Sequence, residues 1–353
     1  MATMKIATCS NCGKPCSIAK TLFEKGIKPL CRDCGGHKRD PGRIKAYSGP
    51  SDSAQRHAEL LLTNGIPGVT TEEIEELSKH AQTTRDKMRP RTIRAEVKIK
   101  TSVPIMVIFS ADWHFGAQDC NVDFLNAHLK FMLDTPNVFV ILCGDEIDNF
   151  INFFNQEPIF KQSVSPEMQI DWMIQTIEKL ATKKKILAKF SDNHIDKRFN
   201  KALGFNPIEF ITRRFRQFAY FDGMGLLELY VNKVRYKIIG AHMWKGHSMY
   251  NMLHSQGRGV REHCPDADVC VGAHRHEPAY TSQPKIGSFI EPMEWTHLIA
   301  CGSFKGADTY SLEGCYRPGN IGTPAMVFHH DRREAVYFAS PEQASVYMRG
   351  LEI

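Results

Sequence analysis

The sequence predicts an α/β domain behind a short cysteine-rich segment, and three observations predict it. From Val103 onward, apolar runs of buried-strand length alternate with stretches that carry apolar residues at helical spacing. Nearly every one of those runs stops on an aspartate, a histidine or an asparagine. Ahead of them, five cysteines crowd between Cys9 and Cys34, four of them in two C-x-x-C pairs. Of 353 residues 42% are hydrophobic and 24% charged, the usage of a chain that buries a core, which excludes wholesale disorder. Runs such as Val103–Phe109 and Val138–Cys143 fall far short of the roughly 18 apolar residues of a membrane span. No apolar stretch of signal-peptide length precedes Cys9, so an intracellular, cytoplasmic protein with no membrane partner is the expectation.

Taken in order, Cys9-Ser10-Asn11-Cys12 and Cys31-Arg32-Asp33-Cys34 have the spacing of a zinc ribbon over residues 1–40. Each knuckle sets two thiolates a tight turn apart, and the two pairs can converge on one tetrahedral structural Zn²⁺. The segment is too short for a core of its own, so metal binding would supply its stability. Cys16 is a spare thiol and His37 a weaker substitute ligand. Between Met1 and Lys45 ten basic residues face three acidic ones, a surplus of seven; with a net charge of +6, everything else sums to about −1. A basic segment of this kind suits a polyanionic partner, although a solvated lysine-rich surface would look the same.

Pro41-Gly42 and Ser48-Gly49-Pro50-Ser51 then mark a linker, and residues 41–100 read as basic and carrying short helices. One helix is expected over Ala54–Leu62. A second is capped by Thr70 or Thr71, with Ile74 and Leu77 on one face and four glutamates near its positive end. Strands are expected at Pro104–Phe109, Val138–Leu142, Lys185–Ala188, Tyr236–Ile239 and Asp268–Val271, with helices over Phe124–Leu133 and Met168–Thr182.

The chemistry lies where these strands end. They run respectively into Asp112-Trp113-His114, Asp145, Asn193-His194, His242, and His274-Arg275-His276. In an open α/β sheet, sites form beyond the carboxyl ends of the strands, so these residues would converge from distant parts of the chain. A single polar residue after a strand is an ordinary turn or cap; five such ends in one chain are not. Carboxylate, imidazole and amide donors suit Mn²⁺, with Fe²⁺ or Zn²⁺ as alternatives. Two such ions can polarise a phosphoryl oxygen and lower the pKa of water. Trp113 and Phe115 beside the first motif read as core before base-stacking platforms.

The order of motifs, D-x-H, G-D, N-H, H and G-x-H-x-H over roughly Val103–Lys305, resembles the calcineurin-like metallophosphoesterase superfamily, including its DNA-repair exonuclease-like members. The resemblance implies a four-layer α/β/β/α sandwich over 101–353 with a dinuclear site at one edge of the sheets. It further implies one ion on Asp112, His114 and His276, a second on Asn193, His242 and His274, Asp145 bridging both, and His194 as the catalytic histidine. Two departures are visible. Asp192 stands where the family has glycine before Asn193-His194, and the acid expected directly after His194 arrives one residue late, as Asp196. Asp196 could still partner His194 after a small adjustment of the turn. Asp148 resembles the family's second acid, which supports a ligand from behind.

Function belongs to the site and not to the fold. Protein phosphatases of the superfamily carry Arg-Gly where this chain has Asn149-Phe150, which disfavours a phosphoprotein substrate. With the basic zinc ribbon, the expectation is phosphodiester hydrolysis on nucleic acid, DNA favoured. The alternative is a phosphatase or phosphodiesterase acting on nucleotides or other small phosphoesters. A non-catalytic binding module ranks below both, because none of the seven expected ligands is missing. The ribbon could also dock a protein.

Overall fold

The computed structural model describes residues 4–9, 13–19, 70–88, 93–149, 161–198, 217–246, 248, 250–285, 294–306 and 322–351. The chain divides into two compact units, Met1–Thr83 and Thr84–Ile353.

In the first unit, β1 (Met4–Thr8) and β2 (Pro15–Ala19) pair antiparallel, from Met4 opposite Ala19 to Thr8 opposite Pro15. The connecting turn is closed by Cys9 N–H donating to Lys14 O (2.8 Å) and Gly13 N–H donating to Cys9 O (3.0 Å), and Cys9 is buried. Cys12, Cys31 and Cys34, the other three ligands expected of the zinc ribbon, lie outside the described residues, as do His37 and the helix expected over 54–62. Helix α1 (Thr71–Met88) starts where its cap places it: Thr70 Oγ1 accepts from Glu73 N–H, and Glu73 Oε2 accepts from Thr70 N–H. This reciprocal box satisfies two otherwise orphaned amides. Ile74 and Leu77, read as one apolar face, are exposed.

The second unit contains two six-stranded sheets. In the first, β4 (Ile105–Ser110), β5 (Val138–Leu142), β6 (Ile186–Phe190) and β7 (Ala219–Phe221) run parallel; β13 (Ala325–Phe328) pairs antiparallel with β4, and β14 (Ala335–Phe338) antiparallel with β13 at the edge. Every residue of β4 and β6 is buried, which is why these strands read as continuous apolar runs without alternation. The second sheet has the order β11 (Ala279–Pro284), β12 (Trp295–Ala300), β10 (Val269–Gly272), β9 (Val234–Gly240), β8 (Gly225–Val231), β3 (Arg94–Ile99). Within it, β12, β10 and β9 are mutually parallel. Strand β3 falls inside the stretch read as linker: Ala95, Val97 and Ile99 are half-buried while Arg94, Glu96 and Lys98 are exposed, and all six residues pair parallel with β8. Its charged alternate residues hid it among the neighbouring basic ones.

Apolar side chains from both sheets, among them Val107, Phe109, Phe190, Leu229, Ile238 and Val271, form one buried cluster. A second cluster joins the other side of the first sheet to α2 (Val122–Asp134), α3 (Pro166–Thr182) and α5 (Pro341–Leu351). The third joins the second sheet to α4 (His254–His263). Helices α2 and α3 begin two residues ahead of the apolar pattern because Asn121 Oδ1 and Ser165 Oγ cap them, accepting from Phe124 and Met168 N–H, with Pro166 in the first turn. Trp113 is wholly buried, edge-on to Trp172, with its indole N–H on Ser110 Oγ, so it is core as expected. No helix among the described residues is long and apolar enough to cross a membrane.

His128 on α2 gives the fold a pH dependence. Burial holds its imidazole down at about 4 against an ordinary 6.5. Below pH 6.5 the unfolded chain therefore takes up a proton that the folded chain refuses, and stability falls between pH 6.5 and 4 by about 3 kcal/mol. In denaturant titrations at several pH values, His128→Gln is expected to flatten this limb by that amount relative to the wild type. An unchanged slope would mean that the ring is not held neutral.

Candidate metal centre

Strands β4, β5 and β6 of one sheet and β9 and β10 of the other present their carboxyl ends to a common site. The loops after β4 and β5 stay paired beyond the strands: Asp112 N–H donates to Gly144 O (2.9 Å), His114 N–H to Asp145 O (3.1 Å) and Phe115 N–H to Glu146 O (3.1 Å). Asp112, His114, Asp145, Asn149, His274 and His276 all have positive φ, between 44° and 76°. Such backbone is costly for residues with a Cβ, and its concentration at one place marks a constrained functional site. Gly144 (φ +101°) lets the loops close up, because a Cβ there would stand 2.8 Å from Asp192 Cβ and from His242 Nδ1.

Three groups of side chains among the described residues could hold a metal ion: Asp112, His114 and His276; Asp145, His242 and His274; and His114, Asp148 and His194, which shares His114 with the first. In the first, His114 Nε2 lies 3.0 Å from His276 Nε2, and Asp112 Oδ1 lies 3.5 Å from His276 Nε2 and 3.8 Å from His114 Nε2. In the second, His242 Nε2 lies 2.7 Å from Asn193 Oδ1, 3.0 Å from Asp145 Oδ2 and 3.3 Å from His274 Nδ1. Two donor atoms each about 2.1 Å from one ion stand roughly 3–3.4 Å apart at ordinary coordination angles, and these separations fall in or near that range. Asp112 Oδ1 and Asp145 Oδ2 are buried without an aligned hydrogen bond; the 3.0 Å approach of His242 Nε2 to Asp145 Oδ2 has the distance of one but not its direction. Buried carboxylate oxygens left so are aimed at something other than a neighbouring donor. The residues therefore fit divalent ions.

The surroundings orient these rings. His114 Nδ1 is 3.1 Å from Asp148 Oδ1, and His242 Nδ1 is 2.8 Å from the carbonyl of Cys143, so each ring turns its Nε2 into the cluster. Burial alone would discourage charge on either ring. At His114 the nearby carboxylates of Asp112 and Asp148 overcome it and lift the pKa to about 9; at His242, Asp145 lifts it to about 10. Asp145 is desolvated as well, yet His194 and His242 pull its pKa far down. His274, half-buried and beside His242, is held at about 4 by desolvation. Asp148→Asn would weaken the anchor of His114, and a fall of about 10–100-fold in metal affinity is expected by isothermal titration calorimetry. Unaltered affinity would remove Asp148 from this role.

His194 lies beside the second cluster. Its Nδ1 is 2.5 Å from Asp148 O and its Nε2 is 3.6 Å from Asp145 Oδ2; a carbonyl only accepts, so Nδ1 carries the proton. Arg198 lays its guanidinium along the ring, with its two terminal nitrogens 3.0 and 3.1 Å from the ring nitrogens, and donates to Asp148 O. Asp196 is committed elsewhere: Oδ2 accepts from Asp192 N–H (2.7 Å) and Oδ1 from the Tyr220 hydroxyl (2.8 Å). The acids close to His194 are Asp145, with Oδ2 3.6 Å from Nε2, and Asp148, with Oδ1 3.8 Å from Nδ1. Sequence reasoning overlooked the supports behind these groups. Asn149 Nδ2 donates to His194 O, Ser303 Oγ to Asp112 O, and Lys189 on β6 is fully buried against Glu146 and Asp192. Only Lys189 had a visible signal, a lone lysine within the apolar run Ile186-Leu187-Ala188-Lys189-Phe190.

No protein-family model matches the chain, and no curated protein matches it. Among solved structures it is similar to Vps29 complexed with Zn²⁺ from Entamoeba histolytica (9% identity, TM-score 0.34), covering 66% of this chain and 97% of that one. It is also similar to TT1561 of Thermus thermophilus (8%, TM-score 0.37; 67% and 99% covered). A third is a serine/threonine phosphatase from Saccharomyces cerevisiae with similarity to human phosphatase PP5 (10%, TM-score 0.33; 81% and 94% covered). At these identities and TM-scores, the chemistry of the site rests on its own residues.

Proposed function

We propose that this chain is a dinuclear-metal-dependent phosphoesterase that hydrolyses phosphodiester bonds, with nucleic acid as its substrate class. The observation that carries the reading is the gathering of six His and Asp side chains into two clusters at ligand spacing, with Asn193 Oδ1 2.7 Å from His242 Nε2 as a seventh donor and two carboxylate oxygens left without aligned partners. Asp112, His114 and His276 would hold one ion and Asn193, His242 and His274 the other, with Asp145 shared. Ions bound there, Mn²⁺ before Fe²⁺ or Zn²⁺, would polarise a phosphoryl oxygen and lower the pKa of water at the site.

The remaining steps belong to the protein. Asp148 O holds the proton on His194 Nδ1, which leaves Nε2 facing the substrate; Nε2 would first take up a proton, from water at the site, before giving one to the leaving oxygen. Arg198 holds that ring in place and brings a positive charge to where a phosphate would lie. The substrate class is argued from charge: the surplus of seven positive charges over residues 1–45, together with the expected zinc ribbon, suits a polyanion, DNA first.

The test is metal-depleted protein given Mn²⁺ and offered a bis-aryl phosphodiester, an aryl phosphomonoester, and single- and double-stranded DNA in parallel. Cleavage of the diester and of DNA is expected. Turnover of the monoester alone would make the protein a phosphatase, and turnover of the small diester without DNA would move it to nucleotides or other small phosphoesters.

A further inference from the structure

Lys189 is an ammonium where a strand interior has no room for an unpaired one. Its residue is 0% exposed, and Nζ lies 2.6 Å from Glu146 Oε2, 3.3 Å from Asp192 Oδ2 and 3.5 Å from Phe190 O. A buried charge survives only with counter-charges and hydrogen bonds around it, and both carboxylates here are buried too. Their positions in the chain give the cluster its meaning. Glu146 follows Asp145 directly, and Asp192 directly precedes Asn193.

The contacts continue from there. Asp192 Oδ1 caps the π-helical turn Asn193–Lys197, accepting from Ile195 N–H (2.7 Å) and Asp196 N–H (3.2 Å). The turn so formed aims Asn193 N–H and His194 N–H at Asp145 Oδ1, at 3.3 and 3.2 Å. One lysine thus contacts an acid from each loop, while the two amides grip the Asp145 carboxylate. This also accounts for an aspartate where glycine was expected: at position 192 the side chain both caps the turn and meets Lys189.

We propose that Lys189 is a positioning residue that ties the Asp145 loop to the Asn193–His194 turn, so that one carboxylate can serve both ion positions. The inference rests on the dinuclear reading of the site. A lysine that only helps the chain to fold would affect stability and leave the folded site as it was.

The experiment uses the full chain, stripped of metal and titrated with Mn²⁺ alone by calorimetry and electron paramagnetic resonance. Two Mn²⁺ ions sharing a ligand are exchange-coupled, whereas isolated ions show a six-line spectrum. Lys189→Met is expected to weaken the tighter Mn²⁺ binding at least about tenfold, in line with other residues that orient ligands from behind, and to replace the coupled spectrum by the six-line one. Glu146→Gln, which keeps shape and leaves Lys189 with Asp192, covers the case in which Lys189→Met does not fold; a several-fold loss and a partial six-line signal are expected. Wild-type affinity and a coupled spectrum in either folded variant, whatever the change in melting temperature, would overturn the role of Lys189. A wild-type chain that binds no Mn²⁺ would overturn the dinuclear reading and this inference with it.

Discussion

Asp145→Asn is expected to leave a folded protein that no longer assembles its metal pair and whose phosphodiesterase rate falls on the order of a thousandfold or more, about 4 kcal/mol of transition-state stabilisation. The substitution is nearly isosteric. An amide oxygen can still accept from Asn193 and His194 N–H, as Asp145 Oδ1 does, so the turn has no reason to open. What disappears is the negative charge beside His242 Nε2 at 3.0 Å, on the oxygen that lacks an aligned partner. An asparagine there offers a neutral and weaker ligand, and it presents N–H groups to imidazoles that need an anion. Metal content per chain, measured after gel filtration in Mn²⁺, should fall below two, while far-ultraviolet circular dichroism stays as in the wild type. Two retained ions and a rate within tenfold of wild type would take Asp145 out of the centre of the site.

His194→Asn should behave in the opposite way, with metal content intact and turnover reduced about 10²–10⁴-fold, the usual worth of a positioned proton-transfer group. The ring stands beside the second cluster, 3.6 Å from Asp145 Oδ2, and is anchored through Nδ1 to a backbone carbonyl. Asparagine keeps a polar group near that carbonyl but has nothing at the place of Nε2. The defect should be largest for esters with poor leaving groups and shrink for a nitrophenolate, which departs without needing a proton. Equal losses on both kinds of ester would assign His194 to holding the phosphate and not to protonating the leaving group.

Much of the fold was legible because buried parallel strands need unbroken apolar runs. The five strands expected from such runs occur within one or two residues of their expected limits, and the two long helices started early only because Asn121 and Ser165 cap them. Strands such as β3 and β11 were not legible. Each is an edge strand with exposed residues along much of its length, so its sequence reads as polar linker until a neighbour is known. The structure brings Asp112 together with His114 and His276, and Asp145 with His242 and His274, the sets that the resemblance implied, and it also brings Asp148 and His194 to His114. Asp148 and Asp196 were equal candidates from sequence; one faces His114 and the other binds Tyr220, a difference that arises from the direction of two turns.

The sequence by itself determined the kinds of donor and the strand ends that carry them, because chemistry at a metal depends on residue type and buried strands declare themselves by composition. Only the tertiary structure decided which donors meet, which ring nitrogen faces inward, and that Lys189 is buried between Glu146 and Asp192. Those choices depend on distances of a few ångströms between loops about 50 to 160 residues apart, such as His194 to Asp148 (46 positions) and His276 to His114 (162 positions). No local pattern encodes such a distance; it is set when the sheets pack and the ends of their strands are brought side by side.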